Sequence, residues 1–282
     1  AYADLCGEPG WMREMIDAHQ DQAQASGARI TFSCGFDSIP FDLGVLFLQA
    51  EAVKRHGKPA PRVKGRVRKM QGGASGGTIA SLTETLKAVA KKPSLALLLK
   101  SSFALTPGFE GPHQPSGLIP EYDHATGTWT APFVMAPINT KNVHRTNFLL
   151  GHAWGADLVY DEMVMTTIGE AGKAMAEAMA KANPFGESKL QPGEGPSKEE
   201  RENGFYDILF VGEYPDGTTI RASVQGDRDP GYGSTSKMLA ETGMTLLETD
   251  GAGGVWTPGA LLGQALIDRL TAHAGLTFQI ED

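Results

Sequence analysis

The stretch SCGFDSIPFDLG, residues 33–44, gathers a thiol, a hydroxyl and two carboxylates: Cys34, Ser38, Asp37 and Asp42. It follows the apolar run Ile30-Thr31-Phe32 and leads into Val45–Leu48. That order predicts a seam between a strand and a helix. In parallel α/β sheets, ligands sit at the carboxyl ends of the strands, which is where Cys34, Gly35, Phe36, Asp37 and Ser38 would lie. Asp37 or Ser38 can cap the helix, and the same helix start can offer its amides to an anion or a carbonyl oxygen. Asp37 and Ser38 are the first two candidate catalytic residues. Asp42, one turn in, favours the helix dipole.

A second seam is GDRDPGYGSTSKML, residues 226–239. Arg228 and Asp229 are candidate substrate contacts, or simply a pair at a helix entry. Tyr232, between two glycines, is a candidate proton donor, although an ordinary pKa of ~10 makes it a slow acid without a helper. The two seams are expected to share a cleft between domains, where small-molecule sites concentrate.

Other chemistry is weaker. The seven histidines show no H-E-x-x-H or H-x-x-E-H spacing, so no metal site is expected. Cys6 and Cys34 read as packing residues at neighbouring strand ends. QGGASGG, residues 71–77, fits a loose G-x-A-x-x-G through Gly72, Ala74 and Gly77. A dinucleotide fingerprint needs an apolar first strand and an acidic residue about 20 positions on. The strand here carries Arg62, Lys64, Arg66 and Arg68, and residues 91–105 have no Asp or Glu. A tight turn is the better reading. The four cations alternate with small or apolar residues, which predicts a strand with one solvated face.

The elements that must position these groups follow from periodicity. Helices are expected at 10–26, 40–56, 78–90, 169–182, 233–247 and 258–273, and strands at 30–33, 62–70, 147–151 and 156–165. A hairpin spans residues 205–226 with its turn at Pro215-Asp216-Gly217. Residues 106–142 read as a long irregular connection. The chain has 282 residues, 41% hydrophobic and 21% charged, with a formal charge of −8. That is a globular composition without the basic excess of a nucleic-acid binder. No stretch is long and apolar enough to span a membrane, and the two cysteines fit a reducing, cytoplasmic setting.

Taken as a set, YADLCGE (2–8), SGARITFSCGFDSIPFDLGV (26–45), SGGTIAS (75–81), APFVMAPIN (131–139), PGEGPSKEERENG (192–204), DPGYGSTSKML (229–239) and GGVWTPGALLG (253–263) resemble the saccharopine dehydrogenase-like oxidoreductases. More narrowly they resemble the branch that includes the trans-acting enoyl reductases. The resemblance implies hydride transfer to a C=N or C=C bond, with NADP or NAD as cofactor and a small-molecule or lipid-like substrate. It implies a fold of α/β plus α+β type: part of a Rossmann-like parallel sheet, with an inserted, mostly antiparallel sheet-and-helix domain. Residues 1–56 would be the last part of the Rossmann-like domain, 57–226 the inserted domain for substrate and self-association, and 227–282 helices returning to the first. A nucleotide-binding half would lie upstream of Ala1, so this stretch alone is expected to be inactive. Cys34, Gly35 and Phe36 become candidate contacts to the nicotinamide end, and a homo-oligomer is expected. The competing reading is a binding or dimerisation module that has lost its chemistry.

Overall fold

The protein is described from a computed structural model, which covers residues 1–73, 75–182 and 190–282. Two sheets organise it. The smaller contains β1 (Tyr2–Ala3), β2 (Arg29–Thr31) and β9 (Gly254–Trp256), all parallel, with β2 in the middle. Helix α1 (Pro9–Ser26) crosses from β1 to β2, and Gly27 in the left-handed region (φ 73°) ends it. Ile16 and Ala23 of α1 are buried, as their helical spacing predicts, together with Met12, while Trp11 stays exposed.

The larger sheet has seven strands. In chain order they are β3 (Arg62–Gln71), β4 (Glu121–Asp123), β5 (Thr128–Pro132), β6 (Val159–Met165), β7 (Phe205–Glu213), β8 (Thr219–Gly226) and β10 (Leu276–Glu281). Their spatial order is β10-β8-β7-β3-β6-β5-β4. Only the β3–β6 pairing is parallel. The mixed α/β class with a separate, mostly antiparallel sheet is therefore as the sequence indicated.

The helices are α2 (Ile39–His56), α3 (Gly76–Lys91), α4 (Ser94–Lys100), α5 (Ala136–Leu149), α6 (Gly169–Lys181), α7 (Lys198–Asn203), α8 (Gly233–Glu248) and α9 (Pro258–Arg269). Helix α2 is the hinge of the packing. It is buried along most of its length and lies against α5, α9, β7 and β8. One continuous apolar core runs through it, from Cys34 and Phe36 to Phe210, Val224 and Leu266.

Four sequence expectations need correction. NFLLG (147–151) is the end of α5 and the turn after it, not a strand; a short apolar run does not distinguish the two by itself. The connection at 106–142 contains β4, β5 and the start of α5. Residues 227–282 do not all return to the small sheet, because β9 joins it while β10 joins the large one. The cationic face of β3 is not solvated. Arg66 is 0% exposed and is held by Asp123 Oδ2 at 2.6 Å and Asp161 Oδ2 at 2.9 Å. Arg62 pairs with Asp161, Lys64 with Asp123 and Glu213, and Arg68 with Asp207 and Glu281. Alternation shows that a face is polar; whether water or carboxylates meet it depends on strands far away in sequence.

Candidate active site at the carboxyl ends of the parallel strands

Parallel strands β1 and β2 end side by side, and the chain leaving each one folds over that end. After β1 come Asp4, Leu5, Cys6, Gly7 and Glu8. Asp4 accepts the Cys6 amide at 3.0 Å and the Tyr2 hydroxyl at 3.0 Å. Glu8 accepts the Gly7 amide at 2.9 Å and the Cys6 thiol at 3.0 Å. Both carboxylates are thus fixed in place by short-range donors. The β2 seam is stitched to this loop: the Cys34 amide donates to the Asp4 carbonyl at 2.8 Å, and Ser33 Oγ donates to the Cys6 carbonyl at 2.7 Å.

A cleft of about 550 Å³ opens above these strand ends. Leu5, Cys6, Gly10 and Trp11 form its floor, and Ser81, Thr85 and Ala88 of α3 with Leu95 and Leu99 of α4 form its opposite wall. The α3 positions are spaced at three and four residues, so they share one helix face. Gly10 permits the approach of α4, since a Cβ there would meet Leu95 Cδ1 at 2.5 Å. The described lining also carries Asp4, Glu8 and Glu84, and includes neither lysine nor arginine. An uncharged group suits such walls better than a phosphate does.

The two seams do meet. The Phe36 amide donates to Thr235 Oγ1 in α8 at 3.0 Å, and Gly35 is packed between Leu5 and Thr235, with no room for a Cβ. The individual roles differ from the expectation. Cys34 is fully buried with its thiol on Thr31, and the Phe36 ring packs on Phe41 and Tyr206. They support the cleft from behind, whereas Leu5 and Cys6 line it. Burial pushes the Cys34 thiol up to about 12 and the Cys6 thiol higher still, so neither is a thiolate nucleophile at neutral pH. Ser38 stands at the N-cap position of α2 without capping it; its Oγ instead takes a hydrogen bond from Asn142 Nδ2 at 2.9 Å. Asp42 reaches past its own helix to accept the Thr146 hydroxyl and the Gly259 amide.

Asp229 is fully buried and accepts the amides of Gly231, Tyr232 and Gly233 at 2.8, 3.2 and 2.7 Å. That is a structural clamp on the start of α8. Arg228 donates to the carbonyls of Glu202 and Asp227 at the surface. Tyr232 packs its ring over Gly195, and its hydroxyl lies near Gly77 at the start of α3. The turn at 71–77 is plugged by the 191–196 loop. The Gly76 amide donates to the Glu194 carbonyl at 2.8 Å, and a Cβ on Gly76 would stand 1.8 Å from the Gln191 carbonyl oxygen. Ala74, the middle of the G-x-A-x-x-G pattern, lies outside the described residues.

Asp37 is different from its neighbours. Its Oδ1 is buried with no hydrogen-bond partner, and burial pushes its carboxyl up to about 7. Burial pushes the Asp42 carboxyl up to about 7 as well, but its oxygens are taken by Thr146 and Gly259, whereas Asp37 Oδ1 has no partner.

A protein of Mycobacterium tuberculosis provisionally named a trans-acting enoyl reductase is 38% identical over 307 aligned positions, covering 99% of this chain and 73% of the relative. The trans-acting enoyl reductase of Mycobacterium ulcerans is 33% identical, covering 95% of this chain and 71% of the relative. The chain belongs to the trans-acting enoyl reductases. That of Mycobacterium bovis is 32% identical over the same 95% of the chain. No family model matches the sequence.

In this enoyl reductase the structure also brings to the site residues that the sequence reading did not single out. Glu162 and Tyr160 alternate on one face of β6, and Asn139 and Asn142 lie three apart on α5. Tyr160 donates to Glu162 Oε1 at 2.9 Å and Asn139 Nδ2 to Oε2 at 2.9 Å. The i, i+2 pair in YDE and the asparagines in PINTKN were the available signals, but only the fold shows that Asn139 meets Glu162 and that Asn142 meets the seam at Ser33 and Ser38.

Proposed function

We propose that this chain reduces a carbon–carbon double bond conjugated to an acyl carbonyl, with a nicotinamide cofactor as hydride donor and a lipid-like acyl chain as substrate. The observation that carries the reading is the cleft itself. It lies at the carboxyl ends of parallel strands and is walled by Leu5, Trp11, Leu95 and Leu99 without a cation, in a chain of enoyl reductase lineage.

The residues fit one end of the cofactor. The nicotinamide is planar and carries no phosphate, and it suits Leu5, Gly10 and Trp11. The pyrophosphate does not fit the described residues: the cleft lacks a cation, and the turn at 71–77 is filled by Gln191 and Glu194. In this reading the diphosphate is held elsewhere, as the saccharopine dehydrogenase-like architecture would have it.

Leu5, Gly10 and Trp11 would hold the nicotinamide, which would supply hydride for the β-carbon. Leu95 and Leu99 hold the acyl chain and exclude water from it. Asp37 lies behind the cleft lining, two residues beyond the Gly35 packed against Leu5, and in this reading the seam turns it toward the α-carbon, where its O–H bond breaks, the C–H bond forms and the carboxylate is reprotonated from water. A buried acid with a pKa near the working pH suits that task. Tyr232 lies at the start of the α3 wall, and Ser38 fixes the seam rather than reacting.

The test is turnover of a 2-enoyl thioester with NADPH or NADH in D₂O, using protein at the full length of its relatives. The saturated product should carry deuterium at the α-carbon, and Asp37→Asn should lower kcat at least tenfold. Unchanged kcat in that variant would remove Asp37 from the mechanism.

A further inference from the structure

Helices α3 and α4 wall the cleft with one side and leave the other side uncovered. On α3, Ser81, Thr85 and Ala88 line the cleft, whereas Leu86 faces away from it and is 62% exposed. On α4, Leu95 and Leu99 line the cleft, and Leu97, midway between them, is 72% exposed. Residues two apart on a helix do not share a face, so Leu97 must point away from the cleft. Leu82, four residues before Leu86 on α3, is exposed as well. Among the described residues, Gly76 alone is buried in α3 and none is buried in α4, and neither helix adds a side chain to the apolar cores. The pair is an arm laid against the molecule.

The arm also carries positive charge on an acidic chain. Residues 76–100 hold Lys87, Lys91, Lys92 and Lys100 against one acid, Glu84, while the whole chain has a formal charge of −8. Lys87 and Lys91 are four apart and share a face of α3 that borders the leucines. Lys87 pairs with Glu84 at 2.7 Å and Lys92 with Glu14 of α1 at 3.0 Å, both at exposed sites where water screens the pair. Lys91 and Lys100 form no ion pair among the described residues.

Exposed leucines bordered by lysines are the pattern of a helix that lies in a membrane interface. Its apolar side chains enter the acyl boundary and its cations meet anionic headgroups. A second copy is a poorer match, because a two-fold contact through this arm sets its lysines against the same lysines. We propose that the α3–α4 arm docks on the surface of an anionic lipid bilayer, with Leu86 and Leu97 entering the acyl boundary and Lys91 and Lys100 on the headgroups. The arm lies on the bilayer without crossing it, since its helices have 16 and 7 residues. The use of docking rests on reading the cleft as an acyl site: the opposite side of the same two helices forms the cleft wall, so docking brings that wall to the layer where lipid-like substrates reside. Docking itself is measured without turnover.

Protein at the full length of its relatives should be floated with vesicles of equal parts phosphatidylglycerol and phosphatidylcholine, and with vesicles of phosphatidylcholine alone. It should rise with the anionic vesicles and be released by high salt. Leu86→Ser with Leu97→Ser, and separately Lys91→Gln with Lys100→Gln, should each weaken capture roughly tenfold or more, with melting temperatures close to the parent. A parent that stays unbound on anionic vesicles overturns the proposal, as does capture that both double variants leave unchanged. A dimer of the parent that Leu86→Ser with Leu97→Ser dissociates assigns the face to a second copy and overturns it too. So does Leu97→Cys that resists maleimide in the native protein, because the leucine face is then covered by other parts of the longer chain. If 2-enoyl thioesters are not turned over while the anionic vesicles still capture the protein, the reaction proposed above fails and the docking surface stands.

Discussion

Asn142 Nδ2 donates to Ser38 Oγ at 2.9 Å and ties α5 to the turn after β2, across 104 residues of chain. The same nitrogen reaches Ser33 Oγ at 3.1 Å, so one amide holds both ends of the seam. Asn142→Leu should leave two buried hydroxyls short of a donor and cost about 1–3 kcal/mol. Chemical denaturation would measure it; a loss well below that range would mean that the seam is held by its backbone alone.

Asp37 makes stability fall as pH rises. Burial raises its native pKa to about 7, above an unfolded value of ~3.9. Between those values the unfolded chain has released the proton and the native state has kept it, so stability declines across pH 4 to 7 and levels off above. Asp37→Asn removes this contribution. Its melting temperature should match the parent at pH 4 and exceed it at pH 8. Equal melting temperatures at both values would mean that the carboxyl is not held neutral. Turnover should decline above about pH 7, as the acid form is lost.

Arg66 is a fully buried charge held by two carboxylates through Nε and Nη1, while Nη2 has no partner among the described residues. Removing one partner of a buried pair typically costs about 3–5 kcal/mol, because the other charge remains unpaired. Arg66→Ala should therefore be severely destabilising, and Arg68→Ala, at a site where the side chain keeps 23% of its exposure, less so. Comparable losses by denaturant titration would contradict the ranking.

The 71–77 turn should not bind dinucleotides. Gly76→Ala would force the Gln191 carbonyl away and expose the start of α3, detectable as faster proteolysis around 191–196. Calorimetry should detect no NADPH affinity that Gly76→Ala changes.

Much of this was readable in advance, and the failures are informative. The β1-α1-β2-α2 order follows from periodicity, from the left-handed Gly27 and Gly57, and from Pro40 near the start of α2. The hairpin of β7 and β8 follows from Pro215-Asp216-Gly217, where Gly217 has φ 84°. Asp37 stood out because a carboxylate in a strand-to-helix seam is conspicuous. Glu162 did not, since within VYDEMVM it looks like an ordinary strand residue; its burial depends on Asn139 and on the missing side chain of Gly65, both distant in sequence. Asp229 drew attention for the right location and the wrong reason: its neighbours on the chain, not a ligand, take its oxygens. The cleft walls in α3 and α4 were invisible because their residues, Ser81, Thr85, Ala88, Leu95 and Leu99, carry no distinctive chemistry.

The cleft is the centre of the account, and Trp11, 43% exposed on its floor, reports on it directly. A long-chain 2-enoyl thioester should be titrated against the protein while tryptophan fluorescence is followed. The account predicts a saturable change that is lost in Trp11→Phe and weakened at least tenfold in Leu95→Asp, which places a charge among the apolar walls. Equal affinity in the parent and in Leu95→Asp, with a signal that survives Trp11→Phe, would put the acyl chain somewhere else and contradict the account.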